Sequence, residues 1–398
     1  MKKFTHPICS SCAAFFLLLT VFAVTSHAME FTKITLTDKF YAEGAFYGDF
    51  NNDGIMDVVY GPYWYEGPDF TVAHEFRPAQ EYRPEDYSDN FVTFVDDFNG
   101  DGWPDILILP HPGGDLFWYE NPKGEDGHWK KHFAAHQIGN ESQVYVDMTG
   151  NGRRDLVYNM DGQIGFASWD PENPYEPWTF HVVAKDGKYQ RYTHGIGAGD
   201  ISDDGRMDLI ESQGWWEQPE DLENGEWKWH PFHFADAAAH ILVFDVDGDG
   251  LNDVVCSWHC HLYGYYWWKQ VRDEDGNISF EKQEILPSQP TKEEGEFRIS
   301  QMHAADTADF DGDGLTDFVT GKRFWAHGPG GDEEPNAPAV VYVFLSKRGE
   351  DGKAYFVPVK VDDDSGVGTQ VSVVDLNGDG KSDIVSGNKK GCHVFIQK

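Results

Sequence analysis

The chain has 398 residues, 68 of them acidic against 31 basic, and a formal charge of −37 at pH 7. A surface of that sign repels a phosphate backbone, which excludes nucleic acid as a natural partner. With 40% hydrophobic and 15% aromatic residues, a chain of this length can bury a large core without disulfide staples.

Residues 1–28 read as a secretory signal: Lys2 and Lys3, an apolar run from Ala13 to Val24, then the small residues Ser26 and Ala28 before Met29. The run is too short for a stable span and nothing comparable follows. The expectation is therefore an exported protein, periplasmic or extracellular, with no membrane span and a mature domain over residues 29–398. Cys9 and Cys12 precede the apolar run, so neither is placed to become a lipidated first residue. Loss of Lys2 and Lys3 takes the formal charge from −37 to −39. Cys256, Cys260 and Cys392 remain, an odd set that excludes a fully paired framework. Cys256 and Cys260 could pair in an oxidising compartment, and the sequence leaves this open.

Along the mature chain the segment Phe31–Leu36 reads as a strand, followed by the first of seven acidic loops of the form Asp-x-(Asp/Asn)-x-Asp-Gly-x-x-Asp, with some substitutions. The copies begin at Asp49, Asp97, Asp147, Asp200, Asp245, Asp309 and Asp375, so their spacings are 48, 50, 53, 45, 64 and 66 residues. Each follows a short strand and precedes an apolar one, such as Val58-Val59-Tyr60 or Ile106-Leu107-Ile108. Aromatic third strands come next, among them Trp64-Tyr65-Glu66, Phe117 to Glu120, Trp215-Trp216-Glu217 and Tyr266-Trp267-Trp268. Fourth strands such as Trp129 to Phe133 and Trp227 to Phe232 complete most repeats. The seventh repeat ends after its third strand, Cys392 to Ile396. The surplus strand at Phe31–Leu36 is expected to complete that last blade and remove two sheet edges. Asp273 to Glu296 and Gly328 to Pro338 read as excursions from the ring. Repeats of this length and content predict an all-β, seven-bladed propeller of four-stranded antiparallel blades. The chain resembles the FG-GAP or VCBS repeat family, whose relatives include the head domain of integrin alpha chains. That resemblance implies fold but not activity, because the family spans adhesion modules and enzymes.

The loops have the chemistry of a calcium cage: side-chain oxygens at positions 1, 3, 5 and 9, a backbone carbonyl at 7, and glycine at 6 for the sharp turn. The predicted ligands are Asp49, Asn51, Asp53 and Asp57; Asp97, Asn99, Asp101 and Asp105; Asp200, Ser202, Asp204 and Asp208; Asp245, Asp247, Asp249 and Asp253; Asp309, Asp311, Asp313 and Asp317; and Asp375, Asn377, Asp379 and Asp383. The fifth and sixth loops carry four carboxylates each and are expected to bind Ca2+ tightest. In the third loop Asp147, Thr149, Asn151 and Asp155 flank Arg153 and Arg154, whose charges oppose a cation. Such loops can also close as polar turns by hydrogen bonding alone.

In a four-stranded blade the acidic loops lie on one face, so residues about six positions upstream border the opposite mouth of the channel. There stand Glu43, Glu141, His194 and His303, with His240 one step away from its own such position. Histidine beside carboxylate suits a divalent transition metal such as Zn2+, or an acid–base pair; a ring of solvated polar residues is the bland alternative. Loops after the second strands reach the same mouth with Tyr63, His111, Trp258, His259, His261, Lys322, Arg323, His327, Lys389 and Lys390. Cations gathered there in an acidic chain point to a carbohydrate or other anionic ligand. Trp258 and Trp325 are candidates for stacking on a sugar. The segment Cys256 to His261 is weak as a metal motif by itself, because no matching second half follows.

Two functions fit. One is an elimination enzyme acting on carbohydrate, a polysaccharide lyase or sugar dehydratase. In it His194, His240 and His303 with Glu141 or Glu43 act as ligands or bases, Lys322 and Arg323 as anion clamps, and Tyr192 or His327 as proton donors. This arrangement is similar to the propeller domain of aldos-2-ulose dehydratase. The other is a noncatalytic module that binds a glycan or a protein through the same mouth. The sequence does not set the oligomeric state.

Overall fold

The computed structural model describes Met1 and residues 29–398; apart from Met1, the expected leader lies outside the described residues. Those residues form seven four-stranded antiparallel sheets, a seven-bladed β-propeller. The channel is lined by the first strands of the blades: Ala45–Gly48, Val92–Asp96, Val144–Val146, Ile196–Gly199, Ile241–Phe244, Ala305–Ala308 and Val371–Val374. No helix among the described residues is long and apolar enough to cross a membrane.

The ring closes as the strand surplus predicts. Phe31–Thr37 pairs antiparallel with Gly391–Gln397, Ile34 lying opposite Val394, and supplies the fourth strand of the last blade. An open ring would leave two unpaired edges, and this pairing removes both. The segment Asp273 to Glu296 differs from expectation, because Ile278–Leu286 is the fourth strand of the fifth blade and only its flanks are loop. Its alternating exposure, with Ser279 and Glu281 outward, hid it as a polar stretch.

Aromatic residues fill the spaces between blades. Phe98 and Trp118 of the second blade pack with Trp169 and Trp178 of the third. Full burial of one such tryptophan is worth about 5 kcal/mol by area. The acidic loops lock this stack from one face. In each loop except the third, the ninth-position aspartate accepts a backbone N–H from within two residues of the end of the third strand: Asp105 from Asn121 at 2.8 Å, Asp208 from Gln218 at 2.9 Å, Asp253 from Gln270 at 2.7 Å and Asp383 from Gln397 at 2.8 Å. The side-chain amides of these four residues reach across to the preceding blade and donate to the carbonyls of Phe50, Met148, Ile201 and Phe310 at 2.8–3.1 Å. One residue thus ties its own acidic loop to its neighbour's. In the third loop, Ser168 Oγ serves Asp155 instead.

Candidate site at the channel mouth

The residues preceding the first strands do meet the loops after the second strands. Arg323, on the loop after the sixth blade's second strand, donates to Glu141 Oε2 at 2.8 Å and lies 3.5 Å from Glu43 Oε2. Lys389 Nζ stands 3.8 Å from Glu43 Oε1 and over the ring of Tyr87. Arg323, Glu43 and Lys389 are all buried. Burial opposes the charge on Arg323, but Glu43 and Glu141 outweigh it and hold the guanidinium firmly protonated. Burial raises the Glu43 pKa against the pull of Arg323 and Lys389. Burial also opposes ionisation of Glu141, yet Arg323 and His194 prevail and its pKa is lowered.

Beside this pair His194, Cys260, His261 and His303 converge, their ligand atoms all within 4.8 Å of one another. The His261 ring lies 4.6 Å from that of His303 and 5.1 Å from that of His194. His303 Nδ1 is 3.2 Å from the carbonyl of Gln301, a contact that requires Nδ1–H and leaves the Nε2 lone pair free. Nε2 of both His194 and His303 is buried with no hydrogen-bond partner. Burial pushes the His194 pKa down to about 4 and that of His303 well below the ordinary histidine range, so both rings are neutral. Neutral imidazoles with free lone pairs beside a thiol are the donor set of a zinc-like ion. A tetrahedral site wants donors about 3.4 Å apart, within the reach of these side chains.

Asp332, in the Gly328 to Pro338 excursion, joins this cluster to the surface. It lies 2.8 Å from His327 Nδ1 and 3.4 Å from His261 Nδ1. Its hydrogen bond raises the His327 pKa, and His327 is exposed. The rim carries aromatics: Tyr192, 44% exposed, lies edge-on to His111, and Tyr87, 37% exposed, donates to the carbonyl of Ala326. Arg191 is exposed beside Tyr192 and reaches His111 at 3.1 Å.

Several sequence expectations are redistributed by this geometry. His240 stands outside the cluster, its Nδ1 3.1 Å from the Ala305 carbonyl, and it lines a 330 Å³ cavity inside the channel. Lys322 and Arg323 are 1% exposed, Lys322 against Ser300 Oγ at 2.7 Å and Arg323 against its two glutamates, so neither is an open anion clamp. Trp258 is part-buried against Tyr266 under Lys282, and Trp325 stacks on Phe324. Tyr63 opens the first blade's third strand and reaches Glu75. Sequence reasoning passed over Cys260 and His261 as ligands because their partners come from other blades. The signal was their place in a loop known to reach the mouth. All three described cysteines are free and buried.

On the opposite face the ninth-position aspartates are buried beside like charges. Burial pushes the Asp57 pKa up to about 7, and Asp53 and Asp49 add to the rise. Asp105 rises to about 8 for the same reasons. Crowded, desolvated carboxylates of this kind fit a bound cation. In the third loop Arg154 turns away, pairing with Asp96 at 2.9 Å and lying over Tyr145.

Comparison with known proteins agrees with this architecture. The FG-GAP-like repeat model matches residues 245–320 and 309–386. The fold is similar to the crystal structure of BBS1N in complex with ARL6DN, with a TM-score of 0.54 at 10% identity, covering 92% of this chain and 95% of that one. A lectin of Agrocybe aegerita that recognises non-reducing terminal N-acetylglucosamine aligns with a TM-score of 0.47 at 16% identity, over 93% of this chain and 86% of that one. No curated protein matches the chain at a significant level. Seven phased acidic repeats, seven closed blades and the repeat-model match make this chain a seven-bladed β-propeller that carries FG-GAP-like repeats, matched over residues 245–386.

Proposed function

We propose that the protein is an exported carbohydrate-active enzyme of the elimination type, a polysaccharide lyase or sugar dehydratase, working at the channel mouth opposite the acidic loops. The observation that carries the reading is the convergence of His194, Cys260, His261 and His303 beside the buried Arg323–Glu141 pair. A divalent transition metal held by these four side chains would supply Lewis acidity toward the proton beside a carbonyl or carboxylate. Arg323 fixes the Glu141 carboxylate, which stays ionised and is the base nearest the cluster. His327, whose pKa is raised by its hydrogen bond to Asp332 and which is open to solvent, is placed to give a proton to the leaving oxygen. Arg191 on the rim takes over the anion-binding role expected of Lys322 and Arg323. Calcium in the repeated loops is the structural ion, offsetting their crowded carboxylates.

The test is to purify the protein without chelator and screen uronate polymers and oxidised sugars for the absorbance of an unsaturated product. A product that disappears in His327→Ala and Glu141→Gln supports the reading. If no substrate yields product, and His194→Ala and His303→Ala bind ligand like the parent, the enzyme reading fails. A noncatalytic glycan- or protein-binding module then remains, favoured by the exposed rim tyrosines Tyr87 and Tyr192.

A further inference from the structure

The two loops with most carboxylates are also the two whose positions three and five are bridged by a lysine. In the fifth loop Lys269 Nζ, from the third strand, binds Asp247 Oδ2 and lies 2.5 Å from Asp249 Oδ2. In the sixth, Lys347 Nζ binds Asp311 Oδ2 and lies 2.6 Å from Asp313 Oδ2. Each ammonium bridges positions three and five. The other carboxylates are already engaged: Asp245 accepts the N–H groups of Gly248, Asp249 and Gly250, and Asp253 accepts those of Val246, Gln270 and the Trp267 indole.

Position three is aspartate only in these two loops; elsewhere it is Asn51, Asn99, Thr149, Ser202 or Asn377. Among the described residues, no other acidic loop has a cation bridging positions three and five; Lys123 reaches only Asp101, at 3.2 Å, and Arg206 only Asp204. The fourth carboxylate and the lysine therefore arrive together. With the lysine counted, loops five and six present a net charge of −3, the same as the three-carboxylate loops one and seven.

We propose that Lys269 and Lys347 are tethered cations that hold the fifth and sixth loops closed in place of a divalent ion, which makes the loops richest in carboxylates the weakest calcium binders. The donor set in these loops fits a calcium ion poorly while the ammonium is there, because it occupies Oδ2 at positions three and five and sets a like charge beside the oxygens that remain, Asp247 Oδ1 among them. The idea rests on the calcium reading of the repeat, and its test separates the two.

Calcium is titrated calorimetrically into the chelator-stripped full mature chain, and bound calcium is counted by elemental analysis. In Lys269→Met/Lys347→Met the count should rise by two, and melting in chelator should fall while recovering on calcium addition. In Asp247→Asn/Asp311→Asn, made in the otherwise native chain, calcium count and affinity should stay unchanged. Loss of two sites in that aspartate variant, or an unchanged count in the lysine variant, overturns the proposal. A parent that binds no calcium, with a lysine variant that binds two, refutes calcium in the other loops and leaves the tethered cations standing.

Discussion

Replacing Lys322 with methionine should stabilise the protein at neutral pH. The ammonium is 1% exposed, and its one close partner is Ser300 Oγ at 2.7 Å. Burial lowers its pKa from 10.5 to about 8, although Glu334, Asp332 and Glu333 resist the shift. A fall from 10.5 to about 8 corresponds to about 3 kcal/mol against folding at pH 7. Methionine matches lysine in length, and Ser300 Oγ keeps its bond to the Glu333 carbonyl at 3.0 Å. Some packing loss is expected, so the net gain should be about 1–3 kcal/mol, or roughly 1–4 °C in melting temperature for a chain of this size. The pH dependence is the sharper reading. A depressed lysine pKa gives stability that is present above the unfolded value of 10.5 and lost as pH falls through about 8. The advantage of Lys322→Met should therefore be full below pH 8 and vanish by pH 10.5 in calorimetric scans. A pH-independent difference, or a destabilised variant throughout, would refute the electrostatic reasoning.

Arg323→Met should behave oppositely, because it strands Glu43 and Glu141 as buried acids. A loss of about 3–5 kcal/mol by denaturant unfolding is expected, largely recovered when both glutamates are also changed to glutamine. Gln270→Ala removes the bond that ties blade five to blade four, to Ile201 O at 3.1 Å, and one to its own acidic loop, to Asn252 O at 2.7 Å; stability should fall by about 1–3 kcal/mol with the fold retained by circular dichroism. Deleting residues 31–37 uncovers the edge of Gly391–Gln397, and the shortened protein should self-associate in size-exclusion chromatography.

The architecture was legible because the acidic loop is a local code: its phase marks the end of every first strand, and the strand missing after Cys392 to Ile396 demanded one from Phe31–Leu36. Within the site, Glu141, His194 and His303 were found by the same phase, since each stands six positions before an acidic loop. Cys260, His261 and Asp332 were not, because the loops bearing them have no repeat to set their register. Lys322 and Arg323 were misjudged for a different reason. Sequence shows a basic pair in a loop, but only packing shows that Ser300, Glu43 and Glu141 enclose it. Lys269 and Lys347 lie far along the chain from the aspartates they bind, so counting carboxylates alone ranked loops five and six highest for calcium.

The proposed function depends most directly on a transition metal binding at the mouth. Transition-metal content should be measured by elemental analysis on protein purified without chelator. About one equivalent per chain is predicted, lost in His194→Ala/His303→Ala and in His261→Ala but kept in His240→Ala. Protein without zinc, manganese or a similar ion, or a metal that survives loss of His194 and His303, would contradict it.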